Sequence, residues 1–219
     1  VTVIDSFSGR YRFLSNFYPE PVEWAGLRWP SVEHAFQGAK HMDHGFRELI
    51  RTARTPAEAK RIARSRPAIS DWDDWRVHVM DALLRTKFSE YKMRLALCRT
   101  DPAELIEGNT WGDTYWGVCK GVGENMLGQL LMKIRSEPFL WNRAAGDYPP
   151  GAVYIGRGTP YGNRFVIGQD GDREEVVRRF ECEVLPTLDV SDLRGKHLVC
   201  SCVPKACHGR PIMRKANLP

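Results

Sequence analysis

The sequence predicts a mostly helical first domain joined to a small α/β unit, and three observations predict it. Capped, amphipathic helical patterns recur across residues 29–135. A Pro- and Gly-rich break covers 136–151, and beyond it short apolar runs of strand texture alternate with helical ones. The expected divisions are residues 1–137, a linker over 138–151, and a second domain over 152–219.

An aromatic turn, Phe13-Leu-Ser-Asn16-Phe17-Tyr18-Pro19, comes first. Residues 29–40 follow as Trp-Pro-Ser-Val-Glu-His-Ala-Phe-Gln-Gly-Ala-Lys. Pro30 restrains the entering chain, and Ser31 is placed to cap the free N–H groups of a first helical turn. Glu33, Gln37 and Lys40 recur at spacings of four and three. That puts a carboxylate, an amide and an amine on one helix face, flanked by Phe36 and His41. Such a face is either the wall of a polar pocket or an exposed, charge-paired surface. Thr55-Pro56 opens another helix, whose Lys60, Arg61, Arg64 and Arg66 form a solvated face or a phosphate or DNA contact. Residues 77–88 turn apolar positions 77, 80, 83 and 84 toward a core, and Lys87, one turn on, can reach inward at the helix end. Residues 105–135 carry Glu107, Asp113, Tyr115 and Trp116, then Gly121-Val-Gly123-Glu-Asn125 leading into an amphipathic helix. A Gly-rich loop entering a helix N-terminus offers N–H groups to an anion, although turns need glycine in any case.

After the break, residues 152–155 read as a strand that meets a Gly-rich loop with Arg157 and Asn163. Asp172 caps a helix running through Leu185, with Val176, Val177, Phe180 and Val184 on one side. A second strand ends in Cys200-Ser-Cys202, and Cys207-His208 precedes a short basic helix. A domain this small is marginal unless it packs on a neighbour or is stapled. Cys200, Cys202, Cys207 and His208 are soft ligands suited to zinc, but their spacing is unlike paired Cys-x2-Cys sites. The same groups could instead line a nucleotide pocket beside Arg157 and Asn163, or be inert.

Composition narrows the class. The net charge of +5 permits a phosphate-rich or nucleic-acid ligand without requiring one. No apolar run approaches the ~18 residues of a membrane span, and residues 1–6 lack the pattern of a secretory leader. A cytoplasmic protein with its six cysteines mainly as thiols is the expectation.

Phe13-Leu-Ser-Asn-Phe, the Trp29–Gln37 motif with Lys40, Lys87-Phe88, and Asp113-x-Tyr-Trp-Gly-x-x-x-Gly-x-Gly-x-Asn125-x-Leu-Gly128 together resemble the NADAR family over residues 5–136. The resemblance implies an α+β fold, mostly helical, and cleavage of N-glycosidic bonds to ribose. Family substrates are ADP-ribose on guanine in DNA or a ribosylaminopyrimidine phosphate of riboflavin synthesis. On that footing Lys40 is the expected nucleophile, forming a Schiff base with the opened sugar, and Lys87 is the runner-up. Glu33 or Glu107 would shuttle protons and Asp113 would hold ribose or activate water. A direct attack by water stays open. Asn16, Gln37 and Asn125 would orient hydroxyls or the base, Trp116 and Phe17 would stack on it, and Gly121, Gly123, Arg66 and Lys87 would hold phosphates. No cofactor is expected in catalysis, and the expected partner is ADP-ribosylated DNA or a nucleotide. A non-catalytic reader of ADP-ribosylated nucleic acid is the third reading, which the Glu33, Lys40 and Asp113 set opposes. Residues 154–209 resemble a small domain of unknown function, which implies a boundary and no chemistry.

Overall fold

The computed structural model describes residues 2–218. The chain divides into two compact units that meet in sequence between Ser136 and Glu137. The first is an α+β unit in which helices carry the core and strands occur only as short two-stranded ladders. A parallel pair joins β1 (Val3–Ile4) to β4 (Glu104–Leu105), and an antiparallel hairpin joins β2 (Val22–Trp24) to β3 (Leu27–Trp29). A second parallel pair joins β5 (Gly108–Asn109) to β6 (Val118–Cys119). Among the described residues a 3-10 helix (Gly9–Leu14) and six α-helices complete the unit: α1 (Val32–Gly38), α2 (His44–Arg51), α3 (Pro56–Ala63), α4 (Trp72–Lys87), α5 (Tyr91–Cys98) and α6 (Met126–Ser136).

Local chemistry explains where these helices begin. Ser31 caps α1 by accepting from the His34 N–H, and Asp43 caps α2 by accepting from the Phe46 N–H at 2.6 Å. Thr55 caps α3 through the Glu58 N–H, with Pro56 at the first helical position as expected. Helix α1 packs on α2, α3 and α4, and every one of its residues is buried. It ends at Gly38, so Lys40 lies in the turn beyond rather than on the helix itself. That turn is held by the Ile69 N–H, which donates to the Lys40 carbonyl at 3.0 Å. The core-facing side of α4 is Val79, Met80, Leu83, Leu84 and Lys87; Val77, expected inward, is half-buried.

The second unit holds a three-stranded parallel sheet in the order β7 (Leu140–Asn142), β9 (Leu198–Cys200), β8 (Val153–Tyr154). Residues 138–151, expected as a linker, therefore contain the first strand of this sheet. Its three residues are too few for an alternation to show in sequence, and the pairing partner is 58 positions away in the Leu140–Leu198 register. Asp172 caps α7 (Arg173–Arg179) by accepting from the Glu175 N–H. The helix then widens into a π-turn over Phe180–Val184 and tightens into a 3-10 turn over Leu185–Thr187, so its far end is irregular where a continuous helix was expected. Helix α8 (Gly209–Ala216) closes the unit.

Two helical glycines should respond oppositely to alanine. A methyl group at Gly38 would meet the indole ring of the fully buried Trp29, whereas one at Gly45 meets only the Asp43 carboxylate, at 3.6 Å. Gly38→Ala should lower stability by about 1–3 kcal/mol through overpacking, while Gly45→Ala should raise it by about 0.5–1 kcal/mol. Urea denaturation of the two variants beside the parent chain checks both signs.

Candidate active site

The first unit contains a cavity of about 1020 Å³. One wall is the cavity-facing edge of the buried helix α1, Glu33, Phe36 and Gln37, followed by Lys40 from the turn. The Gln37 amide donates to the Glu33 carboxylate at 2.8 Å, and both side chains are buried. Burial pushes the Glu33 carboxyl upward, against the opposing pull of Lys60, the Gln37 bond, Lys40 and Arg64. Lys40 moves in the other direction. Burial lowers its pKa, Glu33 raises it, and Lys60 and Arg64 lower it further. Its amine sits 5.3 Å from the Phe36 ring centre and 5.7 Å from that of Trp72, which replace water around it with aromatic carbon. Both ways of unprotonating a lysine, desolvation and neighbouring cations, act on this one amine.

Opposite chemistry comes from the segment after β4. The Glu107 carboxyl is pushed up to about 7, first by burial and then by the charges of Asp113 and Glu33, with Lys87 and Lys60 opposing. Asp113 lines the same cavity, but one carboxylate oxygen is already engaged, accepting from the Tyr115 and Trp116 N–H groups at 3.2 and 2.9 Å. Asn16 Oδ1, Gln37 Oε1 and Glu107 Oε2 are buried acceptors that receive no hydrogen bond from within the described residues, and all three residues belong to the cavity wall. Three such acceptors around one space suit a ligand rich in hydroxyl or amino donors.

Of the residues expected at the site, Lys40, Glu33, Glu107, Asp113, Asn16, Phe17, Gln37 and Trp116 all line the cavity. Five others stand outside its wall. Asn125 is a brace: its Oδ1 accepts from the Glu107 N–H at 3.0 Å and its Nδ2 donates to the Leu105 carbonyl at 2.8 Å, from a left-handed backbone with φ of 53°. Gly121 and Gly123 shape the turn before α6. At Gly123, φ is 154° and a side chain would run into the Gly117 carbonyl. Arg66 lies over the Phe46 ring at 4.1 Å and pairs with Asp43 at 3.8 Å, because it falls beyond the end of α3. Lys87 is 1% exposed and its amine donates to the Ser15 carbonyl at 2.8 Å; burial lowers its pKa to about 7.

Lys40 apart, the cations on the cavity wall come from α3 and the residue that ends it, not from the Gly-rich turn. Lys60, Arg61 and Arg64 line the cavity, as do Ser6, Ser8 and the exposed Trp111. The spacing of positions 60, 61 and 64 on one helix face was visible in sequence; which face turned to the cavity was not. In the second unit, donor atoms of Cys200, Cys207 and His208 lie within 4.8 Å of one another, and the six cysteines of the two units together are all free thiols. Cys200, Cys202 and His208 also line a smaller cavity of about 250 Å³ with Arg157, Asn163 and Arg173. Among the described residues no helix is long and apolar enough to cross a membrane.

Six α-helices and paired short strands around a cavity that joins an amine, three carboxyl groups and several cations define the class of this unit. Residues 5–137 match the NADAR domain model, and this chain belongs to the NADAR family. Residues 141–218 match a domain of unknown function (DUF4326). The chain is 40% identical over 136 residues to N-glycosidase YbiA of Escherichia coli (strain K12), an alignment covering 60% of this chain and 84% of that protein. It is 37% identical over 129 residues to riboflavin biosynthesis protein VVA0006 of Vibrio vulnificus, covering 57% of this chain and 35% of that one. The NMR structure of E. coli YbiA superimposes with a TM-score of 0.56 at 39% identity, over 61% of this chain and 83% of the other.

The two groups near 7 set opposing pH limbs. Glu107 is raised from 4.5, so the stability it contributes is present below about 4.5 and lost as pH rises through about 7. Lys87 is lowered from 10.5, so its contribution is present above about 10.5 and lost as pH falls through about 7. Glu107→Gln should therefore flatten the acid limb of a plot of urea midpoint against pH, and Lys87→Met the alkaline limb. A Glu107→Gln curve parallel to the parent's between pH 4.5 and 7 would contradict the assignment. Asn125→Ala, which removes two hydrogen bonds from a left-handed position, should cost about 2–4 kcal/mol in the same assay.

Proposed function

We propose that the first unit is an N-glycosidase that hydrolyses the bond between a base amine and ribose C1, with ADP-ribose on guanine in DNA as its substrate. The observation that carries this reading is the pairing, on one cavity, of the desolvated Lys40 amine with the raised carboxyls of Glu33 and Glu107. Breaking an N-glycoside needs a nucleophile at C1 and a proton for the departing nitrogen. Neutral Lys40 attacks C1 as the C–N bond breaks. Glu107, half-protonated at neutral pH, donates the proton to the leaving amine. The sugar ring opens to a Schiff base on Lys40, and water, activated by Glu33 or Asp113, releases the ribose. Lys60, Arg61 and Arg64 face the diphosphate, Asn16 and Gln37 accept from sugar hydroxyls, and Phe17, Trp111 and Trp116 offer flat surfaces to bases.

The cavity size supports the larger substrate. At about 1020 Å³ it stands at the upper end of small-molecule sites, which run roughly 300–1,000 Å³, and has room for a dinucleotide. The similarity to a relative named for riboflavin biosynthesis favours a second reading, a ribosylaminopyrimidine phosphate. Both substrates present the same bond to the same residues.

The purified chain is incubated with an oligonucleotide carrying ADP-ribosylated guanine, with and without borohydride, and followed by mass spectrometry. The expected result is free ADP-ribose, and in the borohydride sample an adduct on Lys40. Lys40→Ala should lose turnover by at least about 10³-fold while oligonucleotide binding persists. Release of ribose phosphate from the pyrimidine alone would select the second reading, and binding with no release from either would make the unit a reader. Turnover retained in Lys40→Ala would replace the covalent step by direct attack of water.

A further inference from the structure

The chemistry proposed for the first unit makes no use of the thiol cluster in the second. We propose that Cys200, Cys202, Cys207 and His208 bind one thiophilic divalent cation, zinc by ligand type and number, in a closed four-coordinate site that staples this unit. Three parts of the fold converge there. Cys200 ends the central strand β9, Cys202 and Cys207 bracket the following loop, and His208 precedes α8. Sequence spacing made adjacent Cys207 and His208 an awkward pair for one ion, and the fold removes that objection. Donor atoms of Cys200, Cys207 and His208 already lie within 4.8 Å of one another. In a tetrahedral site with Zn–S near 2.3 Å and Zn–N near 2.0 Å, donors stand about 3.5–3.8 Å apart. Contraction by about an ångström brings these three to ligand spacing.

Two further observations select metal over inert burial. The Cys202 side chain interacts with those of both Cys200 and Cys207, which makes it the fourth donor to hand, although its sulfur stands outside the close group of three and has to swing in. His208 Nε2 is 2.9 Å from the Ile155 carbonyl, a bond in which the ring must donate. A neutral ring that donates from Nε2 keeps the lone pair on Nδ1, as in metal-bound histidines whose second nitrogen donates to a carbonyl; the ring also interacts with the Tyr161 backbone. Cys200, Cys207 and His208 are 2%, 1% and 4% exposed, so three donors have been gathered out of water, the two thiols with weak hydrogen-bonding capacity of their own. Thiolate and imidazole donors favour zinc over magnesium or calcium. A unit whose strands are two or three residues long gains most from such a tie.

The test uses the full chain, purified in a non-thiol reductant. Metal analysis should find one zinc per chain. After removal of zinc, cobalt(II) titration should saturate at one equivalent, with thiolate charge-transfer bands and the strong visible bands of a four-coordinate ion. Cys207→Ser should lower cobalt affinity by at least tenfold. Cys202→Ser should keep a cobalt site with weaker charge-transfer absorption, and Cys182→Ser, at an exposed cysteine outside the cluster, should change nothing. The unmodified chain serves as the primary reading, so a variant that does not fold leaves the conclusion intact. Failure of the folded, reduced parent chain to carry zinc or develop four-coordinate cobalt bands overturns the site, as does unchanged affinity in folded Cys207→Ser. A six-coordinate cobalt spectrum would also overturn it.

Discussion

The first unit depends on burying a helix that is polar along one edge. Helix α1 lies against α2, α3 and α4 with Val32, Ala35 and Phe36 inward, and its depth is set where Gly38 meets the Trp29 ring. At that depth Glu33 and Gln37 lose their water along with the apolar residues. Removing a carboxylate from water is expensive unless it is paired or protonated, and here the relief is partial: one bond from Gln37 and the fields of nearby cations. The unrelieved part holds the Glu33 carboxyl toward its neutral form. A better-solvated α1 would be easier to fold and would leave Glu33 and Lys40 as an ordinary surface pair.

The same burial acts with opposite sign on acids and bases, which sorts the cavity into roles. Carboxyls at 33 and 107 are pushed toward their neutral forms, and the amines of Lys40 and Lys87 toward theirs. Lys87 and Lys40 differ in geometry rather than in this tendency. The Lys87 amine is tied to the Ser15 carbonyl and steadies the aromatic turn that carries Asn16 and Phe17, whereas Lys40 stands on the cavity wall. Asn125 plays a comparable supporting part, gripping the backbone at both Leu105 and Glu107 and so holding the Glu107 carboxyl at its place. Residues that share a motif thus divide into those that face the ligand space and those that position them.

The second unit meets a different constraint, very short strands. Its sheet has three strands of two or three residues, and its buried apolar side chains come largely from outside them, among them Ile155, Phe165, Val176, Phe180, Leu185, Leu193 and Ile212. Polar ties supplement them. The His197 ring accepts from the Phe139 N–H and lies 3.3 Å from the Trp141 indole nitrogen, while Asn163 donates to Val176 and accepts from Phe165. A cluster of thiols and imidazole at the end of the central strand belongs to the same economy of means.

Features that act within a turn or two of chain were legible in the sequence. The caps at Ser31, Thr55 and Asp172, the inward Lys87, the polar edge of Glu33 and Gln37, and the motif order that marks the family all depend on near neighbours or on linear pattern. What tertiary structure alone decided depends on contacts distant in sequence. It turned Lys60, Arg61 and Arg64 into the cavity while Arg66 went to Phe46, made Asn125 a brace where an orienting group was expected, and recruited Leu140–Asn142 as a strand through a partner more than fifty residues away. It also brought Glu107 within the fields of Asp113 and Glu33. Sequence specifies which groups can carry charge; the distances and burial that set how strongly each holds its proton exist only once the chain has folded.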